Sequence, residues 1–349
     1  MHSGIRHVIF LLLGVSITMA QADVLILKNG DRLTGEVLNE TEGVLKFKTS
    51  YAGILSIEWD EIREVRSDKP MTLLLEEDEV LTGIVVKISG DTLQLENENQ
   101  RTVRELTKKS VKEINPEYWL LGKGHKFSGM INIALKYDRG NNNNDEIDLD
   151  GNLEFRRLYD RVRFYGEYDE NRTKGITTKL KWLVTGAYDY FPRSDWSYVF
   201  DAQDWYIGLG LNLKKDEFAE LNLRTRFGPH IGYQFYESEP LNLFVQGGFE
   251  AVKEEFNDGE DNQYWANTWR LVFDRYLYKE KVQFYLISDG FYGFASPDKT
   301  ILENWTGFKF PLKIGFVASI EAETDYDSQP AENAEKLSTS YRLKLGYKF

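Results

Sequence analysis

The amino-acid sequence predicts an all-β protein in two parts: a C-terminal antiparallel β-barrel of about twelve strands and, before it, a domain of two β repeats. Three observations lead there. From Lys126 to Phe349, apolar and polar residues alternate one for one in stretch after stretch. Residues 23–115 repeat themselves at an offset of 48, Val24 matching Thr72. An apolar N-terminal segment of the kind that directs export precedes both.

That segment is residues 1–22. Arg6 supplies a positive start, Val8–Met19 the apolar stretch, and Ala20-Gln21-Ala22 the small-x-small cleavage motif, with Ala20 and Ala22 as its small residues. The apolar run is shorter than the roughly 20 residues that span a bilayer. If the remaining chain enters a membrane, it does so as a barrel.

The repeat occupies residues 23–68 and 69–116. Leu33-Thr34-Gly35 matches Leu81-Thr82-Gly83, Leu45 matches Leu93, and Phe47 matches Leu95. Asn29-Gly30 and Ser89-Gly90-Asp91 read as hairpin turns. Short strands at this spacing suggest two small SH3-like or Sm-like barrels. Sm-like folds suit RNA, but the chain carries a net charge of -13, which argues against nucleic acid. A periplasmic spacer or docking module for a periplasmic partner is the expectation. Asn115-Pro116 closes the repeat, and residues 117–125 read as a linker.

Residues 126–349 form the barrel. Phe127, Ile131, Ile133 and Leu135 share one face, as do Ile147, Leu149, Leu153 and Phe155 opposite Asp148, Asp150 and Glu154. Val162, Phe164 and Tyr168 oppose Arg161, Arg163, Glu167 and Asp169; Leu180, Trp182, Val184, Tyr188 and Tyr190 make a fourth face. Phe227, Ile231 and Phe235, then Leu243, Val245 and Phe249, continue the pattern. Ile314, Phe316, Ala318, Ile320 and Ala322 oppose Ser319, Glu321 and Glu323. Near Trp196–Leu211 and Ile301–Phe310 the phase slips, which suggests bulges. The connections read as alternately long and short, as in outer-membrane barrels. Trp182, Trp196, Trp265, Trp269 and Trp305 are expected mostly in interfacial girdles.

The last strand is the sharpest. Tyr341, Leu343, Leu345, Tyr347 and Phe349 lie on one face, Arg342 and Lys344 on the other. An apolar face for lipid and a polar face for a lumen meet both needs of a membrane strand. These five residues are the candidate assembly signal, with barrel-assembly machinery as its reader. Glu323 is expected opposite Arg342 and Glu321 opposite Lys344, a set of lumen charges that narrows the path. Each pair, facing lumen water, is expected to stabilise by only about 0–1 kcal/mol.

Other chemistry is sparse. Cys is absent, so no disulfide framework exists. Glu146–Gly151 imitates the start of an EF-hand loop, but Arg157 stands where a bidentate Glu is needed, so a strand is the better reading. His230, mid-strand after Pro229, has no Ser near it in its strand and is a poor catalytic candidate. No catalytic residue, cofactor or metal site is expected.

The terminal Tyr347-Lys348-Phe349, the Gly228–Tyr233 strand, the aromatic-rich hairpins and the Leu27–Gly35 repeat resemble the salt-induced outer-membrane proteins, a domain-of-unknown-function family of Gram-negative outer-membrane β-barrels. Pro229 and His230 interrupt the more usual glycine-rich strand. The resemblance covers about residues 126–349 and implies no established activity. The expectation is an integral outer-membrane protein, a narrow channel or envelope-structural element, monomeric, in contact with lipid and lipopolysaccharide, its N-terminal domain in the periplasm. The alternatives are a soluble exported β-rich binding protein and an outer-membrane lipid-acting enzyme.

Overall fold

A computed structural model describes residues 22–349 except 42, 77–78, 97–101, 139–142, 193–203, 239, 279–280, 295–297 and 331–334. The expected signal peptide, with Ala20, lies outside the described residues; Ala22 is the first of them. The chain divides into two compact units, at Pro116 and Glu117.

The first unit has ten strands: β1 (Asp23–Leu27), β2 (Arg32–Thr41), β3 (Val44–Thr49), β4 (Gly53–Glu58), β5 (Ile62–Arg66), β6 (Pro70–Leu75), β7 (Val80–Ser89), β8 (Thr92–Glu96), β9 (Val103–Thr107) and β10 (Val111–Ile114). The repeat is visible in the order of parts: a short 3-10 turn, Trp59–Glu61 or Lys108–Ser110, precedes the fifth strand of each half. Gly35 and Gly83 do the same physical job. A Cβ on Gly35 would come within 2.1 Å of the Lys48 carbonyl oxygen, and one on Gly83 within 2.5 Å of that of Glu96.

The two halves pair their strands in the same order, β5-β1-β2-β3-β4 and β10-β6-β7-β8-β9, but they are joined and not separate. β10 pairs with β6 of its own half and with β2 of the other, placing Ile114 opposite Glu40. Ser67 N–H donates to the Val85 carbonyl. One core joins Leu25, Leu45, Phe47 and Val65 to Leu73, Ile88, Leu93 and Ile114. The core is shared between the halves, as stacked repeats share theirs.

The second unit is a closed antiparallel barrel of twelve strands. They are β11 (Lys126–Asp138), β12 (Asn144–Arg156), β13 (Asp160–Thr173), β14 (Ile176–Tyr190), β15 (Trp205–Asp216), β16 (Leu221–Glu237), β17 (Leu241–Phe256), β18 (Asn262–Tyr276), β19 (Gln283–Gly293), β20 (Lys299–Pro311), β21 (Phe316–Asp327) and β22 (Leu337–Lys348). The faces follow the alternation. Phe127, Ile131, Phe164, Val184, Ile231, Phe249 and Ile320 are exposed outside, while Asp148, Arg161, Glu167, His230 and Glu321 are buried inside. The Glu146–Gly151 stretch lies within β12 as a strand.

Several local expectations are corrected. β20 keeps register with both neighbours throughout, so the phase slip near Ile301–Phe310 is not a bulge. Its inward face simply carries apolar residues, Ile301 and Trp305. Register shifts fall instead at Asn171/Arg172, Lys214/Asp216, Leu221/Leu223 and Gln234/Tyr236. Of the girdle candidates, Trp265 is exposed outside, Trp305 is buried in the lumen, and Trp196 lies outside the described residues. The long–short rhythm also fails: β13 and β14 are joined by residues 174–175 alone, whereas residues 191–204 separate β14 from β15. Hairpin strands that continue past the apolar band shorten their own loops. Ile314 is not on β21 but in the turn before it, at φ 60.

Residues 117–125 belong to the barrel unit and are more than a spacer. Trp119 is buried, donates to Glu117 at 2.7 Å, and lies under the Arg156 guanidinium at 4.9 Å.

Candidate functional site: the charged lumen

The inward positions of an antiparallel barrel recur every second residue, so side chains from distant parts of the sequence meet at one height. Among them the sequence-predicted charges Glu321, Glu323, Arg342 and Lys344 do come together. The register differs from the one expected by two residues: Arg342 stands opposite Glu321 and Lys344 opposite Ser319. Length compensates. Lys344 reaches diagonally to Glu321 at 2.7 Å, and Arg342 bonds Glu323. Both then extend to the other side of the closing seam: Lys344 to Asp150 at 2.9 Å, Arg342 to Asp148 and, at 2.9 Å, to Asp169. These groups are nearly fully buried. The expectation of pairs bathed in lumen water is therefore wrong, and their energetics are those of desolvated ions, which lose heavily when one partner is removed.

Sequence reasoning missed the larger pattern, which is transverse. Lys181 on β14 meets Glu323 on β21 at 3.0 Å. Lys214 on β15 bonds Glu303 on β20. Arg226 on β16 reaches Asp289 on β19 at 3.0 Å. Arg163 on β13 donates to Gln246 on β17, and Arg156 on β12 to Glu237 on β16, both at 2.8 Å. None of these strands are neighbours; each bond crosses the lumen. No alternation pattern reveals such pairs, because it fixes the face of a residue and not its height.

Aromatic and apolar side chains fill more of the interior. Phe191, Tyr206 and Phe244 form a buried cluster, with Arg161 over all three rings at 4.9–5.3 Å. Further along, Val252, Tyr264, Ala266, Phe291 and Ile301 form a second cluster. A cavity of about 270 Å³ remains in the interior, lined by groups including Asn152, Arg163, Asn212, Tyr285, Trp305 and Lys309.

His230 faces this interior. Its Nε2 lies 2.7 Å from Asp189, which also accepts from Arg161 at 2.8 Å and Arg163 at 3.0 Å. Room for the ring comes from Gly208 on β15, where a Cβ would lie 2.4 Å from Nε2. Asp189 is thus neutralised by two guanidiniums, and the imidazole is packed into the wall of the lumen, away from the lipid face.

A family model described as a protein of unknown function, DUF481, matches residues 131–349. The chain belongs to the DUF481 family. Among solved structures, the DUF481 barrel is similar to the NanC porin, at 12% identity over 64% of this chain and 100% of that chain, with a TM-score of 0.40. It is similar also to an outer-membrane channel from Pseudomonas putida F1, at 12% identity over 64% and 94% of the two chains, TM-score 0.37. A third is the outer-membrane channel DcaP of Acinetobacter baumannii, at 10% identity over 64% and 96%, TM-score 0.32. No curated protein matches the chain. The apolar outward band around a charged interior is the arrangement of a barrel in an outer membrane, and it carries the membrane reading of this DUF481 chain.

Proposed function

We propose that this barrel is an outer-membrane element with a braced lumen: at most a narrow path for small polar solutes, and not a general diffusion pore. The observation that carries it is the set of cross-lumen bonds, Lys181–Glu323, Lys214–Glu303 and Arg226–Asp289. A barrel of about twelve strands has a lumen wider than side chains fill by themselves, and here long paired side chains divide what is left. The N-terminal unit is read as periplasmic, an accessory that docks a partner through its sheet. An enzymatic role is disfavoured, because His230 turns from the lipid and its carboxylate partner is held by two arginines.

Planar-bilayer conductance tests the reading. The wild-type barrel should conduct far less than a general porin. Glu321→Ala with Glu323→Ala should raise conductance and shift selectivity toward anions. Wild-type conductance at the porin level would replace this reading with plain diffusion. Phospholipid hydrolysis that is lost in His230→Ala would restore the enzyme alternative.

A further inference from the structure

The barrel closes unevenly. β11 and β12 pair from Lys126↔Arg156 to Asp138↔Asn144, and every other neighbouring pair runs along most of its length. The closing pair, β11 with β22, runs only from Met130↔Lys348 to Ile133↔Leu345, with Gly129 and Phe349 exchanging two further bonds at 3.0 Å. Among the described residues the ladder then stops. Ala134, Leu135 and Lys136 on one side, and Leu337–Lys344 on the other, have no ladder partner across the seam. Eight residues of β22 are about 26 Å of strand, comparable to the apolar band of such a barrel.

Surface exposure reports the same gap independently. Tyr341 and Leu343 are 82% and 74% exposed, against 48% and 45% for Leu345 and Tyr347 on the same face of the same strand. The paired part of the seam covers its side chains and the unpaired part does not. Unpaired backbone groups facing hydrocarbon are costly, and irregular backbone at membrane depth is tolerated where it is buried in protein or lines a water-filled cavity. Behind the gap the lining is polar. Arg342 and Lys344 reach Asp148 and Asp150 on β12, past the small side chain of Ala134.

We propose that the β11–β22 seam is a lateral opening that admits a lipid-class amphiphile. Its acyl chain lies in the slot beside Leu135, Tyr341 and Leu343. Its polar head exchanges into the ion pairs that Arg342 and Lys344 make with Asp148 and Asp150. The opening serves exchange between lumen and bilayer, a route separate from conduction along the barrel axis and independent of whether the axial path conducts.

The chain has no cysteine, which makes the test direct. Ile133→Cys with Leu345→Cys lies in the paired stretch. Leu135→Cys with Leu343→Cys lies where the same register, continued, would bring equivalent positions about 5.5 Å apart, within disulfide reach. In the full chain in lipid nanodiscs, mild oxidation should link the first pair readily and the second many-fold more slowly. The unsubstituted protein should also be reconstituted with a phospholipid bearing a diazirine in its acyl chain and irradiated. Label should appear on lumen-facing Ala134 and Ser340 beside the seam and not on lumen-facing Thr185. Equal linking of the two cysteine pairs, or lumen-face label no stronger at Ala134 and Ser340 than at Thr185, overturns the proposal. A disulfide formed between molecules through Cys at position 343 overturns it too, in favour of a second copy seated on the open edge.

Discussion

Lys181 and Glu323 meet at 3.0 Å across the interior of the barrel, and both are buried. Lys181 also lies 3.2 Å from Asp325 and 3.6 Å from Glu167. Glu323 has a second cation, Arg342. The pair is therefore asymmetric. Lys181→Met takes from Asp325 and Glu167 the cation they share and leaves Glu323 only Arg342, and should cost about 3–5 kcal/mol. Glu323→Gln leaves Lys181 with Asp325 and Glu167 and should cost clearly less. Urea unfolding of the two variants in lipid measures the order, and a larger loss for Glu323→Gln would reverse the assignment.

Glu40 gives the N-terminal unit a pH dependence. Burial pushes its carboxyl from 4.5 up to about 7, while one oxygen accepts from Gly43 N–H at 2.9 Å. A folded-state value above the unfolded one means that folding binds the proton more tightly. The contribution is complete below about pH 4.5 and is lost as pH rises through about 7. Glu40→Gln should therefore raise stability at pH 8 by about 1–3 kcal/mol and flatten the slope between pH 5 and 7. Thermal melting of a segment of residues 23–116 at both pH values checks this, and an unchanged slope in the variant refutes it.

Gly83 on β7 lies directly against the Glu96 carbonyl of β8. A methyl there collides with the Glu96 carbonyl oxygen, so Gly83→Ala should cost about 1–3 kcal/mol by forcing β7 from β8. Gly35→Ala should do the same in the other half. Equal melting temperatures for variants and parent would show that the ladder yields freely.

Ile314 holds φ 60 and ψ 39 with its side chain 86% exposed. A β-branched residue in the left-handed region is strained and here buries nothing in return. Ile314→Gly should stabilise the barrel by about 1 kcal/mol, read as a shift of the urea midpoint. A lower midpoint would mean that lipid contacts of the isoleucine outweigh the strain.

Phe349 exchanges two backbone bonds with Gly129, and its ring lies 5.5 Å from Phe127 and 6.3 Å from Tyr347. As the end of the proposed assembly signal it also secures the short paired part of the seam. Deleting it should lower the amount of heat-modifiable barrel in the outer membrane and leave unassembled chain in the periplasm. Normal assembly without it would remove the signal role.

Which residues could be read in advance follows a physical rule. Face was legible: strict alternation put Tyr341 and Leu343 outside and Arg342 and Lys344 inside, and so did the other strands. Height was not. The register slip that set Arg342 opposite Glu321 depends on the turn and on packing around the ring, and a pattern of period two is blind to it. Inward apolar residues, Tyr206, Phe291 and Trp305, were hidden for the same reason: they break the expected polarity without breaking the strand. In the N-terminal unit the repeat was legible through Gly35 and Gly83, but the added pairing of β10 with β2 was not, because a repeat shows likeness between halves and says nothing of how the halves join.

That pairing sets an order of events. Glu40 on β2 waits for Ile114 on β10 before its edge is covered, so the first half is not finished until nearly all of the second has been synthesised and folded. Contacts this distant in sequence are slow to form. Until they do, Leu45 and Phe47 lack the Ile88 and Leu93 that share their core, and the chain passes through a stage in which one half-core is open and a holding chaperone would find its footing.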